Sequence, residues 1–307
     1  MNIIDLSAGI PGVFEKGHFH LGKWESYMDA CLPGAKEMCL QDARETIRAG
    51  FSWEADFLPV LDAVLRDAEK RGEAVRSFRR ITEHLDERIT AGFGKTVDAD
   101  LILYLGLCSG AGWVTSVNGR TTVLFGIEKI MELNWQDQKA MTGLILHELG
   151  HVYQAQYGVL HRDAASARDR FLWQLFTEGI AMVFEQEIIG DPECFHQYDT
   201  DWKRWCDEHA GSIARSFSAD LDSMTPETQR YFGDWVRFEG HGDTGYYLGA
   251  RFIRFLLKHD RFDDLLSYDM DDVGKGYGMF SESLNGTAAR LPQQNHVIKH
   301  FSKEKDV

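Results

Sequence analysis

The chain has 307 residues, enough for one large domain or two modest ones, and its 44% hydrophobic and 26% charged residues are the ordinary balance of a protein with a sizeable core. With 33 basic against 48 acidic side chains the net charge is −15, a surface that repels phosphate backbones and anionic lipid and disfavours nucleic acid and membrane as partners. No basic n-region leads into an apolar stretch at MNIIDLSAGIPGVFEKGHFH, and five scattered cysteines without a CxxC pair read as buried free thiols, so a cytoplasmic protein is expected.

Residues from Trp24 to about Ala91 read as helical throughout. Leu58, Leu61, Val64 and Leu65 mark one apolar stripe, and Val75, Phe78, Ile81 and Leu85 another. The arginines of RSFRRITEHLDER are interleaved with acids and read as a solvated helix face. The texture changes at AGFGKTVDAD. LILYLGL and TTVLFGI are short β-type runs, and Asn118-Gly119 between WVTSV and RTTVLFG signals a tight hairpin. From Asp137 the helical pattern returns, with one helix to Tyr157 stopped by Gly158 and another from about Ser166 to Ile189 stopped by Gly190. Further helices are expected near 200–217 and 245–258, and a loosely held polar tail after Arg290. Helices, a small sheet, then helices make an α+β chain, divided here into a helical region 1–95 and a domain 96–307.

The segment GLILHELGHVYQAQYG carries His147-Glu148-Leu149-Gly150-His151. Residues four apart on a helix lie ~40° apart around its axis, so both imidazoles leave one face and their nitrogens can reach one zinc ion at ~2.0–2.1 Å. Glu148 stands one position along. It can take a proton from a water whose pKa zinc lowers toward ~7, without itself being a ligand. Leu144, Ile145, Leu146, Leu149 and Val152 make this a buried helix, where unpaired polar groups are costly.

HExxH also arises by chance, so a second feature is needed. It comes with 26 residues between it and His151, in LWQLFTEGIAMVFEQEIIG, where Glu178 sits among Leu175, Phe176, Ile180, Ala181, Met182 and Val183. A carboxylate in such surroundings needs a partner, which a metal supplies, whereas Glu185 and Glu187 read as solvent-facing. Two His and one Glu leave zinc an open fourth position, as in catalytic sites. The pattern HExxHxxGxxH is excluded by Gln154 and Tyr157, and His161 just past the helix is the alternative third ligand. His18, His20, His84, His196 and His209 lack ligand spacing and read as surface residues. Tyr246 opens a Y-x-x-G run in HGDTGYYLGARFIRFLL, which by itself reads as a core tyrosine at a helix start.

HELGH followed by a glutamate on the next helix resembles the gluzincins, the thermolysin-like and aminopeptidase-like zinc peptidases. The combination with TEGIAMVFEQ and GYYLGA is most similar to a group of bacterial zinc-dependent proteases that carry HExxH, an EG[LI]A-type helix and GYxxG. The resemblance covers about residues 100–260. It implies a zincin-like fold whose sheet lies over the HExxH helix, with an edge strand for extended substrate in the hairpin around Asn118. It also implies His147, His151 and Glu178 as zinc ligands, Glu148 as general base and Tyr246 as a transition-state donor. Two departures stand out. Met182 occupies the place where the thermolysin pattern has Asp, and the G-x-M-E-N segment of aminopeptidases is missing, so endopeptidase action fits as well as aminopeptidase action. The expected function is a zinc-dependent peptidase. The alternatives are a regulatory zincin that cuts one partner protein and a metal-bound zincin scaffold without activity.

Overall fold

Residues 101–105, LILYL, are apolar at every position, as a strand buried on both faces must be. They fall in and just after β4 (Asp100–Tyr104), an inner strand of the sheet in the computed structural model, which describes residues 1–197, 200–233 and 235–288. The sheet has four strands in the order β1–β4–β6–β5, where β1 is Asn2–Asp5, β5 Trp113–Val117 and β6 Arg120–Gly126. β1 and β6 flank β4 in parallel, and β5 pairs antiparallel with β6 at one edge. Asn118 and Gly119 take φ of 52° and 78°, the paired left-handed conformation of the tight hairpin turn expected there. β1 and the two-residue strands β2 (Phe14–Glu15) and β3 (His18–Phe19) were not among the expected strands. β1 brings the first residues of the chain into the same sheet as residues 100–126.

The stretch expected to be helical throughout is five α-helices with breaks, α1 (Leu21–Cys31), α2 (Lys36–Arg48), α3 (Leu58–Arg66), α4 (Ala68–Thr82) and α5 (Leu85–Phe93), with a π-helical turn (Trp53–Phe57) before α3. Of these, α1 and α4 reach the sheet directly. Phe78 of α4 lies 5.8 Å from the Phe125 ring of β6, and the Trp24 indole donates to the Leu105 carbonyl at 2.8 Å. A short helix α6 (Ile127–Glu132) leads to α7 (Gln138–Tyr157), the HExxH helix, which Asp137 caps by accepting from the Lys139 and Ala140 amides. α7 does end at Gly158, but not through a left-handed residue. Gly158 has φ −158°, and a side chain there would strike Leu266. α8 (Ala167–Ile189) is capped by Ser166 and ends in left-handed Gly190 at φ 79°, as expected.

α9 (Thr200–Asp220) and α10 (Thr244–Leu256) follow, then α11 (Phe262–Leu265) and α12 (Met270–Ala288). α10 crosses α8 at backbone contact, since a Cβ on Gly249 would lie 2.7 Å from the Leu175 carbonyl. The polar tail after Arg290 lies outside the described residues. One apolar cluster runs from Ile10 to Phe280 and joins sheet and helices. Among the described residues no helix is long and apolar enough to cross a membrane. All five thiols are free. Cys39, Cys194 and Cys206 are buried, but Cys31 is exposed, against the reading of it as buried.

Candidate metal centre

The middle turns of α7 and α8 are largely buried, so the polar residues there face each other rather than water. His147 and His151, one turn apart on α7, have ring centroids 5.0 Å apart with planes at 87°. Both direct Nε2 at one oxygen of α8: Glu178 Oε2 is 3.1 Å from His147 Nε2 and 3.3 Å from His151 Nε2. Ligand atoms placed ~2.0–2.1 Å from a shared tetrahedral centre are themselves ~3.3 Å apart, so the donor set and its spacing fit zinc. Among the described residues these three form the one cluster of potential ligand atoms within 4.8 Å of one another. His161 is not in it. That residue lies on the wall of the adjoining cleft.

Burial alone would raise the Glu178 pKa, but the charges and hydrogen bonds of His151 and His147 outweigh it and hold the carboxyl well below its usual range. Burial likewise works against a charged His151, and Glu178 overrides it, so that ring is raised. Glu148 is buried beside the cluster without being in it. Desolvation raises its pKa, and the charges of His151 and His147 offset part of the rise. Its carboxylate leans on Gly112, where a Cβ would lie 2.7 Å from Glu148 Cγ, so the residue before β5 is bare backbone beside Glu148.

β5 pairs only with β6 among the described residues, which leaves its other edge free, whereas β6 is an inner strand. A cleft of about 680 Å³ connects that strand to the cluster. Val114, His151, Trp173, Gln174, Thr177 and Glu178 are on its walls.

Tyr246, at the start of α10, stands over the cluster with its ring 5.7 Å from that of His147. Tyr247 points elsewhere: it is fully buried and its hydroxyl donates to Asp207 at 2.8 Å. His241 stacks on Trp205 at 3.7 Å.

His196 and Glu185 depart from expectation. His196, read as a surface residue, is buried, and its ring lies 5.8 Å from that of His147. Glu185, read as solvent-facing, has no exposed surface and is 2.9 Å from His196 Nδ1. Glu185 follows Glu178 by seven residues, two helical turns, and that spacing was the available sign that both share a face. The other histidines fit their reading better. His18 is exposed and pairs with Asp62, His20 and His84 are exposed, and His209 stacks on Trp205.

Comparison with protein-family models, curated proteins and solved structures finds no match to this chain.

Proposed function

We propose that this chain is a zinc-dependent peptidase of the gluzincin type, its α+β fold serving as a zincin-like catalytic domain. The observation that carries the reading is the convergence of His147 Nε2 and His151 Nε2 on Glu178 Oε2, with Glu148 beside them and an open strand edge along the same cleft. His147, His151 and Glu178 would hold the ion and leave one position for water or substrate. When bound, zinc supplies Lewis acidity and lowers the pKa of a water.

The chain's own groups do the rest. The free edge of β5 binds extended peptide through main-chain hydrogen bonds, and Val114 brings this strand to the cleft wall. Glu148 takes the proton of the attacking water on its carboxylate and passes it to the leaving amine nitrogen. Its burial excludes bulk water and keeps the carboxylate basic enough for that task. The Tyr246 hydroxyl donates to the oxygen on which negative charge grows, a task a phenol performs without ionising.

Elemental analysis tests the reading together with a peptide-library digest. Wild type should carry one zinc per chain and cleave peptide bonds. His147→Ala should stay folded and lose most of its metal. Stoichiometric zinc in that variant, or no cleavage by zinc-loaded wild type, would remove the basis for a peptidase.

A further inference from the structure

His147 offers Nε2 to Glu178, and its other ring nitrogen turns into the protein. His147 Nδ1 is buried, and among the described residues it has no hydrogen-bond partner. The carboxylate that approaches it is Glu185, whose Oε2 lies 3.9 Å away. Glu185 is fully buried on α8, and such a carboxylate is costly unless it is hydrogen-bonded. One bond comes from His196, whose Nδ1 is 2.9 Å from the same Oε2, while Oε1 has no partner among the described residues. Here two imidazoles flank one carboxylate, and the second belongs to the metal cluster.

The packing around this group is specific. His196 meets Trp135 edge-on at 5.2 Å. On α7, one turn before His147, Gly143 leaves the space that the pair occupies. A Cβ there would collide with the His196 ring and stand 2.7 Å from Glu185 Oε1. Three elements therefore meet at one point behind His147: a bare turn of α7, the second inward acid of α8 and the loop after Gly190.

We propose that Glu185, held by His196 over Gly143, is a positioning residue that accepts a hydrogen bond from His147 Nδ1–H and so fixes the ring with its Nε2 lone pair toward the metal. This rests on the zinc reading above. The present 3.9 Å is about 1 Å longer than a hydrogen bond, a gap that a small rotation of the ring or carboxylate closes. Acceptors of this kind fix the tautomer of a metal-ligating histidine and raise its basicity, and losing one typically costs ~10–100-fold in metal affinity.

The test uses the full chain and zinc itself, with affinity measured by competition against a chromophoric chelator. Glu185→Gln keeps the shape and should bind zinc ~10–100-fold more weakly. Gly143→Ala keeps every polar group but displaces the pair, and should weaken zinc in the same direction. Proton–nitrogen NMR of the zinc-loaded wild type should show His147 protonated at Nδ1 with a downfield proton, shifted upfield in Glu185→Gln. A merely structural Glu185 would not move that resonance. Wild-type affinity in both folded variants, or a His147 not protonated at Nδ1, would overturn the positioning role while leaving the metal site standing. Failure of wild type to bind zinc would instead overturn the reading beneath it. Should Glu185→Gln not fold, Gly143→Ala and the wild-type spectrum still decide.

Discussion

In α4 the buried positions Ala74, Phe78 and Ile81 recur every three or four residues, while Glu69, Arg76, Arg79 and Arg80 face water. α8 has no such stripe. Leu172, Phe176, Ile180, Met182 and Phe184 are buried around its whole circumference, and its acids Glu178 and Glu185 point into the protein. A charge on α4 is solvated, and each such surface group is typically worth less than ~0.5 kcal/mol. Glu178 and Glu185 on α8 have lost most of their water and must be met by specific partners, here the histidines of α7 and His196. The difference separates a helix whose charges are solvated from one whose inward acids are met by histidines. It also says where substitution should matter.

The largest effect is expected from Glu148→Gln. The variant changes one buried atom and removes no ligand, so zinc content should hold. Turnover should fall by ~10²–10⁴, the usual contribution of a general base. Metal analysis and single-peptide kinetics on the same preparation check both halves. Turnover within a few-fold of wild type would assign the proton transfer to another group.

Most of the candidate site was legible because it follows rigid helical geometry. The i, i+4 spacing placed His147 and His151 on one face, and an acid surrounded by apolar neighbours marked Glu178. Glu185 looks solvent-facing only on an amphipathic helix, whereas most of α8 is buried and its period carries little sign of inside or outside. His196 sits in irregular chain after Gly190, where no periodicity reports burial. In the fold, β4 announced itself by an unbroken apolar run, and the hairpin by Asn118-Gly119. β1 did not. It has four residues, half-exposed to exposed, and its partner β4 lies 98 positions away at Asp100, so nothing local identifies it as a strand.

A second test compares neighbours of the same type. Tyr246 faces His147 across 5.7 Å, while Tyr247 is packed inside and bonded to Asp207. Losing one oxyanion donor usually costs ~10²–10³ in turnover. Tyr246→Phe should show that loss in kcat with zinc content and KM little changed. Tyr247→Phe should leave kcat close to wild type and act on stability, since it strips a hydrogen bond from Asp207. The opposite ranking would move the role to Tyr247.

The last test sets two buried glutamates against each other. Glu178 is held low by its histidines, but Glu128 on α6 is pushed up to about 7 from an ordinary 4.5, chiefly by desolvation. The amides of Gly106 and Cys108, which donate to its two oxygens at 2.8 and 3.1 Å, oppose the rise only in part. Because the folded pKa is the higher one, the native chain keeps a proton between about 4.5 and 7 that the unfolded chain has released. That contribution to stability is complete below the unfolded value and is lost as pH rises through the folded one. The full span corresponds to about 3 kcal/mol, from 1.36 kcal/mol per tenfold change in proton affinity. Denaturant unfolding of metal-free protein at pH 5 and pH 8 measures it. Glu128→Gln cannot titrate, so whatever its absolute stability, the wild-type-minus-variant difference should move against wild type by about 2–3 kcal/mol between the two pH values. An unchanged difference would mean that the two amides already stabilise the ionised carboxylate as fully as the histidines stabilise Glu178, and that burial by itself does not distinguish the two acids.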